Sequence, residues 1–116
     1  MNIHYRNNRT SRLCTDLIYA RKKLNRYSED LLSLINFIEN ATDLNDVAVM
    51  QKYHLHPLKG KNKGKFSLDI AGRSIGWRLV IIPLDEQGNC WDTSDVNIIY
   101  KSTTAIIAWE VTNHYE

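Results

Sequence analysis

Apolar residues in the first third of the chain recur at helical spacing. Leu13, Leu17, Ala20 and Leu24 follow at intervals of four, three and four, which is one face of an α-helix. The polar cluster Asn7-Asn8-Arg9-Thr10-Ser11 precedes them, with Thr10 or Ser11 as the candidate N-cap. A second stripe, Leu31, Leu34, Ile35 and Ile38, is widened by Leu32 and Phe37. Ser28, Glu29 and Asp30 ahead of it form an acid-rich first turn, which suits the positive end of a helix dipole. Asn40-Ala41-Thr42-Asp43 ends this pattern, and Leu44 to Met50 has room for one or two helical turns. At the start of the chain, Ile3 and Tyr5 alternate within Asn2–Tyr5, a short first strand.

The pattern changes at Gln51. Lys59-Gly60-Lys61-Asn62-Lys63-Gly64 has loop composition. Beyond it, Phe66 to Ile70 alternates strictly, and Trp77 to Leu84 is rich in Val and Ile. Val96 to Tyr100 and Ala105 to Val111 have the same strand character. Gly72 and Gly76, then Glu86-Gln87-Gly88-Asn89, then Lys101-Ser102-Thr103-Thr104 are the turns between them. Short polar turns make hairpins, so the sheet is expected to be mainly antiparallel. The order is then a short strand, two helices and four strands. This predicts an α+β fold, with N-terminal helices packed on one face of a twisted, four- to five-stranded sheet.

Composition narrows the class. With 116 residues, 43% of them hydrophobic and 24% charged, the chain suits one domain around one core. Disordered, collagen-like and coiled-coil compositions are excluded. No apolar run approaches the roughly 18 residues of a membrane span. Met1-Asn2-Ile3-His4-Tyr5-Arg6 does not read as a signal peptide, so a cytoplasmic location is expected. Cys14 and Cys90 lack zinc-ligand spacing and fit a reducing compartment.

The net charge of +2 hides an uneven distribution. Between Lys52 and Arg78 seven cations face one acid, Asp69, so this block carries +6 and the remainder −4. A basic block of this kind suits a phosphate-binding face; the plainer alternative is a solvated lysine loop. No metal motif and no Gly-rich phosphate cradle is present, so neither a metal nor a cofactor is expected. His54 and His56 would share one face of a strand. With His114 they can give or take protons near neutral pH. Lysines and arginines can stabilise a phosphate that gains charge. Tyr53, Trp77 and Tyr115 offer flat surfaces for unstacked bases. Together these groups suffice for metal-independent RNA cleavage, in which a 2′-OH attacks the adjacent phosphate. Arg78 lies in an apolar strand, where an unpaired charge is costly. It needs either a carboxylate such as Asp69 or a ligand phosphate.

The run His56-Pro57-Leu58-Lys59-Gly60, then Lys63-Gly64, Phe66-Ser67-Leu68 and Trp77-Arg78-Leu79, resembles the signature of the HigB branch of the RelE/ParE toxin superfamily. The resemblance spans nearly the whole chain, is strongest over residues 54–84 and is looser from Cys90 to Thr104. It implies a toxin of a type II toxin–antitoxin system: an mRNA interferase that enters the ribosomal A site and inhibits translation by cutting messenger RNA there. The cut needs no metal and passes through a 2′,3′-cyclic phosphate. The resemblance further implies a cognate HigA-like helix-turn-helix antitoxin that neutralises the chain. Contact with operator DNA would come only through the antitoxin complex, and no membrane is involved.

Position by position, the resemblance makes His56 a proton-transfer or phosphate-orienting residue and Arg78 the stabiliser of the scissile phosphate. Arginine suits that role because its planar fork binds two oxygens at once. His114 becomes the first choice for general base and Tyr115 a stacking or hydrogen-bonding residue. The order Asn113-His114-Tyr115 differs from the Asp-Tyr-His of better-known members, which leaves the base open among His114, His56 and Tyr115. Lys59, Lys61, Lys63, Lys65 and Arg73 are the expected RNA-binding residues. Extra residues around Ser74-Ile75-Gly76 are expected to lengthen a hairpin turn. Two alternatives share the fold: a ParE-like poison of DNA gyrase, and a catalytically inactive homologue acting in operon repression.

Overall fold

The computed structural model describes residues 1–113. Helices occupy the first half. α1 (Asn8–Thr15) buries Leu13 and Cys14, and α2 (Leu17–Leu24) buries Ala20 and Leu24. The continuous apolar stripe is therefore carried by two helices rather than one. The break is Asp16, in extended conformation, whose carboxylate accepts a hydrogen bond from the Tyr19 N–H at 3.1 Å and caps α2. The cap of α1 is Asn7, not Thr10 or Ser11. Its Oδ1 accepts from the Thr10 N–H at 2.9 Å, while Thr10 itself is buried inside the helix. α3 (Ser28–Asn40) buries Leu31, Leu34, Ile35 and Ile38, as their spacing predicts. A single 3-10 turn, Asn25–Tyr27, leads into it. α4 (Leu44–Ala48) is one short turn capped by Asp43.

Five strands form one mixed sheet: β1 (Asn2–Tyr5), β2 (His56–Pro57), β3 (Phe66–Asp69), β4 (Arg78–Leu84) and β5 (Ala105–Thr112). Their spatial order is β1-β5-β4-β3-β2. β1 runs parallel to β5, and the other pairings are antiparallel. The fold is α+β, with the helices on one face of the sheet. Phe66, Leu68, Leu79, Ile81, Ile106 and Ala108 form that face and share one core with the buried residues of α1 to α4.

One expected strand is a helix. Val96 to Ser102 forms α5, capped by Asp95, whose carboxylate accepts from the N–H groups of Asn97 at 3.0 Å and Ile98 at 3.4 Å. Val96, Ile99 and Tyr100 sit at helical spacing and turn toward the core. A run of four or five apolar residues fits either period, and the cap decides. Lys101 and Ser102 thus end a helix instead of turning a hairpin. Removing the cap with Asp95→Ala should cost about 1 kcal/mol, read as a lower denaturant midpoint. An unchanged midpoint would show that packing alone holds α5.

The second face of the sheet depends on one irregularity. Val80 pairs with Glu110 but Ile81 pairs with Ala108, so Trp109 is an extra residue in β5. Side chains alternate faces along a strand. Without this bulge, Glu110 and Thr112 would share the core face with Ile106 and Ala108. The bulge turns them to the opposite face.

Candidate functional site

On the face away from the helices, one row crosses four strands. His56 pairs with Ser67, Ser67 with Val80 and Val80 with Glu110. A second row lies beside it: Asp69 pairs with Arg78, and Arg78 with Thr112. Together with His54, Lys65 and Arg73, the residues of both rows except Asp69 surround a cavity of about 350 Å³. His56 and Glu110 stand three strand spacings apart, roughly 14 Å between backbones, at opposite ends of the first row.

Arg78 is held in place by its surroundings. It is 5% exposed, and Asp69 is 2% exposed. The Nε of Arg78 lies 3.1 Å from Oδ1 of Asp69, an ion pair in which Oδ1 accepts no aligned hydrogen bond. The guanidinium also donates through Nη1 to the Trp77 carbonyl at 3.0 Å and through Nη2 to the Arg73 carbonyl at 2.8 Å. It therefore clamps the loop between β3 and β4, which includes Ser74, Ile75 and Gly76, and places Arg73 at the cavity edge. Of the two partners expected for Arg78, a carboxylate or a ligand phosphate, the structure supplies the carboxylate of Asp69.

The two histidines are coupled through backbone and ring. His54 adopts the left-handed conformation, φ 46°, and its carbonyl lies 2.8 Å from Nδ1 of His56. A carbonyl only accepts, so Nδ1 of His56 carries a proton and donates it; in the neutral ring the lone pair is on Nε2. The rings are in contact, with centroids 4.4 Å apart and planes tilted by 30°. Desolvation lowers the His54 pKa below its ordinary value. The neighbouring His56, Arg73 and Arg78 lower it further, and Asp69, whose Oδ2 is 4.0 Å from Nδ1, opposes them. At neutral pH His54 is an uncharged acceptor.

This lowered pKa has a stability consequence. The unfolded chain takes up the His54 proton before the folded chain does, so folding loses stability as pH falls through about 6.5 toward the lower folded value. His54→Asn removes that loss. The melting temperature of the variant relative to wild type should rise between pH 7.5 and pH 5. A constant or falling difference would contradict the electrostatic picture.

The basic residues divide among different places. Lys65 lies over the Trp109 ring at 4.5 Å, lines this cavity and also lines a larger neighbouring cleft. Lys59 and Lys63 line only the larger cleft, and Lys61 lines neither. Gly60 and Gly64 have φ of 65° and 94°, which lets the loop carrying these lysines turn back within a few residues. Tyr53 is buried beside Phe37 and belongs to the core, so it is no platform for a base. Trp77 is half-buried and packs on the core. Cys14 is buried, with its thiol pushed up to about 12, and Cys90 is exposed; both are free. His114 and Tyr115 lie outside the described residues.

Glu110 is the residue that sequence reasoning missed. Ile106, Ala108 and Glu110 share one parity, so a regular strand would drive a carboxylate into the core. That conflict is itself the signal for a bulge. Among the described residues, no group of three or more His, Cys, Asp or Glu side chains could hold a metal ion. No described helix is long and apolar enough to cross a membrane. No protein-family model and no curated protein matches the chain.

Proposed function

We propose that the chain is a ribosome-dependent mRNA endoribonuclease, the toxin of a type II toxin–antitoxin pair of the RelE/HigB kind. The carrying observation is the cross-strand row that sets His56 and Glu110 at opposite ends of a cavity with Arg78 beside its floor. In-line displacement at phosphorus needs a base on the attacking oxygen and an acid on the leaving oxygen, on opposite sides of the phosphate. A carboxylate at one end and an imidazole at the other meet that demand.

In this reading an RNA strand enters the cavity between its two half-buried ends, His56 and Glu110. Glu110 accepts the 2′-OH proton, and the 2′-oxygen bonds to phosphorus. The bond to the 5′-oxygen breaks, and His56, in its protonated form, supplies the proton that oxygen takes. The products are a 2′,3′-cyclic phosphate and a 5′-hydroxyl. His114 is the other candidate base. Lys65, Arg73 and Arg78 supply positive charge where the phosphate gains negative charge. His54, neutral and packed against His56, holds that ring through its own carbonyl.

The ribosome, A-site mRNA and a cognate HigA-like antitoxin are the proposed partners, in the cytoplasm, and operator DNA is met only through the antitoxin complex. The test is induction of the chain alone, with mapping of mRNA 5′ ends. Discrete cuts at ribosome-occupied codons support the nuclease. DNA breaks with intact mRNA would point to a gyrase poison, a reading in which the paired histidines have no task. One observation favours a different second reading. Arg78 is engaged by Asp69 and two carbonyls, which suits an inactive homologue retained for repression. Growth unaffected by expression without the antitoxin would mark that case.

Lysine positions also predict salt behaviour. Each lost phosphate contact lowers the slope of log binding against log salt by about 0.7 on single-stranded RNA. Lys65→Ala should show that full change, and Lys61→Ala, outside both cavities, the smallest. Equal slopes for the two variants in binding titrations would refute this ordering.

A further inference from the structure

We infer that the cleft between the lysine loop and α5 is a base-binding subsite for the RNA nucleotide next to the scissile phosphate. This rests on the ribonuclease reading and extends it to a region that the resemblance matches only loosely. The cleft has a volume of about 720 Å³, a size suited to a small ligand. One wall is the loop carrying Lys59, Lys63 and Lys65; the other is the segment from Cys90 to Ile99. Ile82 and Pro83 of β4 contribute apolar surface between them.

Three features identify the occupant. First, the cleft joins the candidate active site: Leu58 and Lys65 line both cavities. A strand whose phosphate sits near Arg78 therefore reaches the cleft with an adjacent nucleotide. Second, its charge complements a polyanion, with three lysines against the single carboxylate of Asp92. Third, it presents a flat aromatic group held by a hydrogen bond. The Trp91 indole N–H donates to the Thr103 hydroxyl at 2.9 Å, and that buried hydroxyl donates to the Ile99 carbonyl at 2.6 Å. The ring is thereby tied to the end of α5, and a base can stack without first ordering it. Thr93 and Ser94 add hydroxyls at the same wall, chemistry suited to a base edge.

The subsite predicts sequence preference at one nucleotide flanking the cut. Ser94→Glu places a carboxylate in the cleft from an exposed loop position, where folding tolerates it. Cys90→Glu does the same from another exposed position on the same wall. Ser94→Gln is the neutral control. The experiment uses translating ribosomes programmed with messages that differ only at nucleotides beside the cut, with 5′ ends mapped and rates measured. Wild type and Ser94→Gln should prefer one nucleotide at one flanking position. Both Glu variants should lose that preference and cut the favoured message at least about fivefold more slowly, the lower end of what one stacked base contributes.

If wild type cuts but the folded Glu variants keep its preference, whether at full or reduced rate, the subsite is refuted and the ribonuclease reading stands. Cutting by wild type with no preference refutes the subsite in the same way. If wild type leaves every message whole, the ribonuclease reading falls, and the subsite with it.

Discussion

Arg78→Ala is expected to destabilise the protein by about 3–5 kcal/mol, enough to unfold much of a marginally stable chain. The cost comes from what remains. Asp69, 2% exposed, keeps its carboxylate in the interior and loses the cation beside it. The carbonyls of Trp77 and Arg73 also lose a donor each. Asp69→Ala should cost a comparable amount, because the buried guanidinium then loses its carboxylate counter-charge. The double variant Asp69→Leu with Arg78→Met removes both charges and fills the space with apolar groups. It should recover much of the loss, since a buried ion pair contributes little net stability over well-packed apolar residues. Urea unfolding of the four proteins measures this directly. Arg78→Ala within about 1 kcal/mol of wild type would show that Arg78 and Asp69 are not the closed pair described. The double variant also separates two roles. Folded but unable to cut, it would assign Arg78 to the phosphate; loss of cutting in Arg78→Ala alone cannot do so.

The second large effect concerns chemistry. His56→Asn and Glu110→Gln should each lower the cutting rate by about 10²–10⁴-fold, the usual contribution of one positioned acid or base. Both replacements are close in size, and neither residue is part of the core. Asn at 56 retains a donor for the His54 carbonyl while losing the Nε2 lone pair. A large rate loss with an unchanged melting temperature would therefore report proton transfer. Each variant should also lose one limb of the pH–rate profile. Wild-type rates in both proteins would remove them from the chemistry and leave His114 as the candidate.

Much of the fold was legible because it rests on periodicity. Leu31, Leu34, Ile35 and Ile38 could bury only as a helix, and Phe66 to Ile70 only as a strand. The Arg78 partnership was half legible on electrostatic grounds, because a charge in an apolar strand needs either a carboxylate such as Asp69 or a ligand phosphate. What escaped is decided by single contacts. Asn7 and Asp16 break and start helices through one side-chain hydrogen bond each. Asp95 turns an ambiguous apolar run into α5. β2 is only two residues long and exists through its pairing with β3, which no local pattern shows. The candidate site was half legible. His56, Arg78 and the lysines stand out by residue type and by resemblance. Glu110 reaches the site only through an extra residue at Trp109, a property of two strands together.

The most direct test combines the purified chain with translating ribosomes and a defined message, and then maps every 5′ end. Cleavage within A-site codons is predicted, leaving 2′,3′-cyclic phosphate and 5′-hydroxyl termini, with activity unaffected by chelators of divalent ions once ribosome integrity is controlled. Intact messages at saturating protein would contradict the claim that this face of the sheet cuts RNA.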